Sequence, residues 1–156
     1  MNCGAVCLQY VHNQHGHKLS LKKARELAKT GRHGTHFPDL MDALRELGYC
    51  NVRAKQNLKW SELKRLVDAG NDVFLSWLSD LPAGNYPMPA DGHWSVARKV
   101  TKENLVIFDP DVRQEITLPK EYWLSRWYDF EIDRAGKRTD YIKSAIIARY
   151  PHKLKI

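Results

Sequence analysis

The stretch that decides the fold is Asn2-Cys3-Gly4-Ala5-Val6-Cys7-Leu8. It opens an apolar run that continues to Val11 and predicts a largely buried helix ending near Gly16. Asparagine is a preferred N-cap residue, so we expect Asn2 to cap this helix and to leave Cys3 in its first turn. At that position the aligned peptide dipoles and the first N–H groups of the helix favour a thiolate, the nucleophilic form of cysteine.

The rest of the chain changes from helical to strand patterns. Three more helices are predicted, from Ser20, over residues 35–48 and over residues 59–69, because apolar residues recur there at helical spacing. Short apolar or alternating runs then predict five strands, over residues 72–78, 93–100, 105–108, 116–118 and 145–150. Between them we expect an irregular loop over residues 81–92 and a short helix over residues 120–127. In the strand 93–100, alternation places Trp94, Val96, Arg98 and Val100 on one face. The sequence therefore predicts an α+β domain with N-terminal helices packed on a C-terminal antiparallel sheet.

Three residues of this predicted architecture form a candidate catalytic site. His93 begins a strand directly after a glycine-containing loop, and Asp109 ends the next strand of the same hairpin. Because the outer ends of two paired strands lie together, we expect Asp109 to orient His93, whose other ring nitrogen faces the sulfur of Cys3. The sequence thus predicts a thiol nucleophile, a histidine base and a thioester intermediate, without a metal or organic cofactor.

The same residues carry a resemblance to a known family. The opening stretch, followed by Gly31–Thr35, Phe37–Gly48, Gly92–Val96 and Phe108–Pro110, resembles the peptidase C39 family of double-glycine leader peptidases attached to bacteriocin exporters. The resemblance implies a papain-like cysteine peptidase fold and cleavage after a Gly-Gly pair, with Cys3, His93 and Asp109 as the triad. It covers residues 2–132 of a single domain over 1–156, and the basic tail 132–156 with its final strand is matched less clearly.

The oxyanion hole is the point at which this sequence departs from the family. Its members carry a glutamine about six residues before the cysteine, and this sequence begins two residues before Cys3. Asn2 and Gln9 are the side-chain candidates to replace it, and the backbone N–H of Cys3 is a further donor. Trp94 follows the histidine and is a candidate wall of the cleft, although packing inside the strand is the simpler role.

The distribution of charge and the number of cysteines exclude several other classes of function. The net charge is +7, and residues 133–156 carry seven Lys/Arg against two Asp/Glu, which is typical of a solvated end. The basic residues are not interleaved with stacking aromatics, so nucleic acid is not an expected partner. Three cysteines do not describe a disulfide framework or a zinc site, and no segment has the length of a membrane span. We expect a cytoplasmic protein whose partner is a peptide or protein substrate, with any transporter partner left unidentified.

Three hypotheses remain after the sequence is considered alone. The first is a cysteine peptidase or another amide hydrolase. The second is a peptide-binding module of the same fold with weak or absent catalysis, which the missing upstream glutamine favours. The third is an acyl or amide transferase, because an amine in place of water uses the same thioester chemistry.

Overall fold

The structure, a computed structural model, describes residues 2–32, 34–79 and 93–151 of the chain. This part contains five helices and eight strands. The helices are α1 (Cys3–Gln14), α2 (Leu21–Leu27), α3 (Phe37–Glu46), α4 (Trp60–Asp68) and α5 (Lys120–Leu124). The strands are β1 (Cys50–Lys55), β2 (Asp72–Trp77), β3 (His93–Val100), β4 (Asn104–Asp109), β5 (Gln114–Pro119), β6 (Tyr128–Ile132), β7 (Arg138–Ile142) and β8 (Ala145–Arg149). The predicted loop 81–92 lies outside the described residues.

The strands form one six-stranded sheet and one separate two-stranded ribbon. The order in the large sheet is β1-β8-β2-β3-β4-β5, and each of its neighbouring pairs is antiparallel. The ribbon consists of β6 and β7. This arrangement is the α+β architecture that the sequence predicts, and it agrees with the papain-like fold that the family resemblance implies.

The large sheet is covered on both faces. One face packs against α1, α2 and α3, and its strands contribute Phe74, Trp94, Val96, Phe108 and Ile146 to that core. The other face contributes Val73, Leu75, Ala97, Ile107 and Ile147, which pack with Trp123, Trp127 and Leu63 of α4. Val100 belongs to this second face, so its assignment to the face of Trp94 was wrong. The pairing of β3 with β4 shifts register between Ala97 and Lys99, which turns Val100 to the other side.

The start of α1 is confirmed, and the start of α3 lies two residues later than predicted. Asn2 occupies the N-cap position and leaves Cys3 in the first turn, although its side chain makes no capping hydrogen bond; its carbonyl joins the helix by accepting from the N–H of Val6. The helix predicted from Thr35 begins at Phe37, because the backbone of His36 is extended. Thr35 is held outside the helix, where its carbonyl accepts a hydrogen bond from Nε1 of Trp94 and its hydroxyl bonds that of Thr30.

One strand within the basic end of the chain is part of the core. Residues Ala145 to Ala148 are fully buried, and β8 lies between β1 and β2 in the sheet. The interpretation of residues 133–156 as a solvated end was therefore wrong for β8, whose small and branched apolar residues fill both faces of a central strand. Within the described residues, no helix is both long and apolar enough to cross a membrane.

Candidate active site

The pairing of β3 with β4 brings His93 and Asp109 together. Nε2 of His93 donates to Oδ1 of Asp109 over 3.0 Å, and the N–H of Asp111 donates to the same oxygen, also over 3.0 Å. Asp109 is fully buried. Burial on its own raises the pKa of this carboxyl, but the hydrogen bonds from His93 and from the Asp111 N–H outweigh it and hold the pKa below its usual value.

The helix α1 brings Cys3 to the opposite side of the same imidazole. Cys3 is the first residue of α1, which packs against β3 and so places the thiol beside His93. Burial on its own lowers the pKa of His93. Hydrogen bonds to Asp109 and Cys3, and the negative charge of both groups, reverse that effect and raise the pKa to about 10. Since Asp109 occupies Nε2, the nitrogen left to face the sulfur is Nδ1.

Trp77 fixes the imidazole in this position and is itself held by Ser95. Trp77 is the cross-strand partner of His93 on β2, and the two rings meet edge to face with centroids 5.6 Å apart. Nε1 of Trp77 donates to Oγ of Ser95 over 3.0 Å, which locks the indole. Sequence reasoning missed Trp77, although an aromatic residue ending the strand that pairs with β3 was the available signal.

Asp111 adds a second carboxylate to the site. Its Oδ2 lies 3.9 Å from Nδ1 of His93, on the side that the sulfur occupies. The ligand atoms of His93, Asp109 and Asp111 all lie within 4.8 Å of one another, a spacing that is compatible with a metal ion. Nε2 of His93 is already engaged by Asp109, so a cation here competes with the hydrogen bond that orients the imidazole.

The two proposed oxyanion side chains are placed differently. Asn2 directly precedes Cys3, and its side chain is not engaged in capping the helix. Gln9 lies six residues further along the continuous helix α1, an advance of about 9 Å, which turns it to a different side of the helix. The structure therefore does not bring Gln9 to the thiol. The first N–H groups of an α-helix lack an intrahelical acceptor, so the start of α1 offers backbone donors to an oxyanion beside Cys3.

A groove lies beside Thr35 and Trp94, the two residues that pack closely around Gly4. Its volume is about 810 Å³, and it runs between the turn after α2 and the strand β6; its lining includes Lys29, Arg32, Thr35, Trp94 and Phe130. We call it the Trp94 groove. Trp94 is 2% exposed, so it is both a packed strand residue and part of the groove wall. A Cβ on Gly4 would lie 2.6 Å from the Cβ of Thr35 and 3.2 Å from Trp94, so only glycine fits between Cys3 and the groove.

Strand β6 is held against its neighbours by buried polar contacts. Oδ2 of Asp129 accepts from Oγ of Ser76 over 2.6 Å, and Oε1 of Glu131 accepts from the N–H of Phe37 over 2.8 Å. The rings of Phe37 and Tyr141 stack with centroids 3.8 Å apart. These contacts fix the wall of the Trp94 groove that lies opposite the turn after α2.

Comparison with known proteins places these features in context. The model of the peptidase C39 family matches residues 1–133. The structure is similar to the peptidase domain of Streptococcus ComA, a bi-functional ABC transporter involved in quorum sensing, with a TM-score of 0.68 at 22% identity over 96% of this chain and 92% of that one. It is also similar to a double glycine motif protease from an AMS/PCAT transporter in complex with the leader peptide, with a TM-score of 0.64 at 16% identity over 96% of this chain and 85% of that one. The peptidase domain of Streptococcus mutans ComA gives a TM-score of 0.53 at 19% identity, over 81% of this chain and 84% of that one. No curated protein sequence matches this chain significantly.

Proposed function

The chain belongs to the peptidase C39 family, and from that premise we propose that it is a cysteine peptidase with Cys3 as nucleophile, His93 as base and Asp109 as the group that orients the histidine. The observation that carries the proposal is the position of the His93 imidazole. It donates through Nε2 to the buried carboxylate of Asp109 and is hydrogen-bonded to the side chain of Cys3. A base held between an orienting acid and a nucleophile is the recurring arrangement of acyl-transfer enzymes.

In the proposed resting site the proton of the Cys3 thiol already lies on Nδ1 of His93, and the imidazolium stabilises the negative sulfur. The sulfur attacks the carbonyl carbon of the scissile peptide bond, and the resulting oxyanion is stabilised by the N–H of Cys3 and the side-chain amide of Asn2. The protonated imidazole then gives its proton to the leaving amine. Water, deprotonated by the same nitrogen, hydrolyses the thioester and restores the thiol.

We propose a peptide with a Gly-Gly pair before the scissile bond as the substrate. The proposal is supported by family membership and by the resemblance to a protease whose structure contains a leader peptide. An ABC transporter is the corresponding candidate partner, since the similar ComA domain belongs to one.

The test is cleavage of a synthetic peptide with a central Gly-Gly pair, followed by mass spectrometry. We expect cleavage by the wild-type chain, loss of at least about 10³-fold in rate for Cys3→Ala, and little change for Cys7→Ala. Cys7 is the matched control because it is a fully buried cysteine one turn along the same helix. Unchanged cleavage by Cys3→Ala would disprove the assignment of the nucleophile.

One observation favours a second candidate, a peptide-binding module. The helix α1 carries Gln9 away from Cys3. Of the two side-chain candidates for the oxyanion donor, only Asn2 therefore remains. A missing oxyanion donor costs about 10²–10³ in rate. Binding of the Gly-Gly peptide without cleavage, by wild type and by Cys3→Ala equally, would support the module and reject the peptidase.

A further inference from the structure

A shallow, open concavity runs along the exposed side of α2. Its volume is about 590 Å³, and its lining is Leu21, Lys22, Arg25, Glu26, Lys29 and Thr30. We call it the basic groove. Lys22, Arg25 and Lys29 are exposed, and within residues 2–32, 34–79 and 93–151 none of them has an ion-pair partner. Glu26 is the one acid among the lining residues, and its carboxylate forms an ion pair with Lys23 at 4.0 Å.

This concentration of positive charge opposes the stability of α2. Lys22 and Arg25 are three residues apart on α2, a spacing at which like charges on a helix repel, and Lys29 lies just beyond the end of the helix. The first turn contains two lysines and no acid, although the helix dipole favours negative charge there. The exposed Lys23–Glu26 pair offsets only part of this repulsion, and local rules broken in this way are typical of functional surfaces.

The basic groove continues into the Trp94 groove. Lys29 lines both, and Arg32 extends the positive charge along the second. The Trp94 groove in turn reaches Thr35 and Trp94, which enclose Gly4 next to Cys3. A polypeptide that leaves the thiol along this path therefore meets the cations of the α2 side.

The Trp94 groove also carries acidic groups. Asp39, Asp129, Glu131 and Asp133 line it, and the carboxylates of the last three accept hydrogen bonds from uncharged groups of this chain, which leave their negative charge in place. In the described part of the chain, the three cations of the basic groove have no comparable partners. The charge that attracts an acidic segment therefore lies on the α2 side, and the acidic groups of the Trp94 groove repel such a segment.

We propose that the basic groove binds an acidic segment of the substrate peptide, next to its cleavage site; the inference rests on the proposed peptidase function and specifies its substrate. The three-residue step from Lys22 to Arg25 is about 5 Å along the helix axis. Side chains on one side of an extended peptide are about 7 Å apart, a difference that long basic side chains absorb. The substrate should therefore carry acidic residues at alternate positions.

The test uses fluorescent peptides with a central Gly-Gly pair and three glutamates at alternate positions of one flank, paired with peptides carrying glutamines there. Each flank is tested in turn, and Kd is measured on Cys3→Ala so that no peptide is cleaved. We expect the glutamate peptide of one flank to bind about tenfold more tightly than its glutamine counterpart, as three exposed ion pairs allow, and less so at high salt. A triple variant with Lys22→Gln, Arg25→Gln and Lys29→Gln, here called the α2 variant, should abolish the difference.

A matched control removes the same charge elsewhere. The control is Lys55→Gln, Lys99→Gln and Lys102→Gln, three exposed lysines that line neither groove, and it should keep the preference for glutamate. Equal affinity for both peptides on both flanks, or a preference that survives the α2 variant, would overturn the proposal. So would binding to phosphatidylserine vesicles that the α2 variant loses while peptide affinities stay equal, since a membrane is then the partner. Failure of the peptidase function itself is seen separately, as absence of cleavage by the wild-type chain.

Discussion

At the scale of single residues, the site depends on how His93 is shared between two partners. Asp109 holds Nε2, and the opposite side of the ring is directed at Cys3. The sequence predicted that Asp109 and His93 are neighbours, because paired strands of a hairpin bring their outer ends together. It did not predict the approach of Asp111 to Nδ1, because that contact depends on how the chain turns after Pro110.

Labelling with iodoacetamide tests whether Cys3 is an activated thiol. We expect Cys3 to react faster than Cys50 at pH 6–7, even though Cys3 is 7% exposed and Cys50 lies on the surface. The physical reason is that a protonated His93 favours the thiolate beside it, and thiolate is the reactive form. Burial raises the pKa of Cys7, so Cys7 should react slowest. Peptide mapping over a short time course measures all three, and equal labelling in the folded protein would contradict the prediction.

The substitution Asp109→Asn tests the origin of the raised His93 pKa. The pKa of about 10 keeps His93 protonated through neutral pH, and the loss of the Asp109 charge removes one of the causes that raise it. We expect the pKa of His93 to fall in this variant, so the alkaline limb of the kcat/KM profile moves to lower pH. A histidine NMR titration measures the pKa directly. An unchanged titration of His93 would show that Asp109 does not control it.

At the scale of elements, patterns with strong apolar spacing were predictable and exposed strands were not. The helices α1 and α4 and the strand β3 lie within two residues of their predicted bounds, and α2 begins directly after Ser20. The strand β1 escaped prediction because its residues are exposed or half-buried, so its sequence shows no buried alternation. The ribbon of β6 and β7 escaped for a related reason, because polar contacts such as Glu131 with Phe37 hold it in place.

The close packing of α1 against Thr35 and Trp94 predicts that only glycine is tolerated at position 4. In Gly4→Ala the new methyl group would meet the Cβ and Oγ1 of Thr35 at 2.6 Å, and we expect a loss of about 1–3 kcal/mol in the free energy of unfolding. In a Thr35→Gly background those two atoms are absent, so the same substitution should cost clearly less. Urea unfolding of the four proteins in this cycle measures the difference. An equal cost in both backgrounds would mean that Thr35 is not the obstacle.

At the scale of the whole molecule, the last described strand connects regions that are distant in sequence. The strand β8 pairs with β1 on one side and with β2 on the other. The sequence predicted this strand from its apolar run but not its place in the sheet, because strand order depends on long-range pairing that a local pattern does not encode. The family model ends at residue 133, before this strand.

Substitution of one isoleucine in β8 and one in β7 tests how much β8 contributes to the stability of the fold. Ile147 in β8 is fully buried, whereas Ile142 in β7 is 46% exposed. We expect Ile147→Ala to lower the free energy of unfolding by about 2–5 kcal/mol, because it opens a cavity in the core. The same substitution at Ile142 should cost less than about 1 kcal/mol. Similar losses in both variants, measured by urea denaturation, would contradict a central role for β8.

The position of β8 also has a consequence for the order of events during synthesis. A ribosome makes Cys3 long before it makes His93 and Asp109, and it makes β8 later still. Until residues 145–149 have emerged, β1 cannot join the sheet and one side of β2 has no neighbour. Native contacts between such distant segments form late and slowly. A nascent chain therefore holds the proposed nucleophile, Cys3, without its proposed base, and the two residues can meet only after the chain as far as β3 has been made.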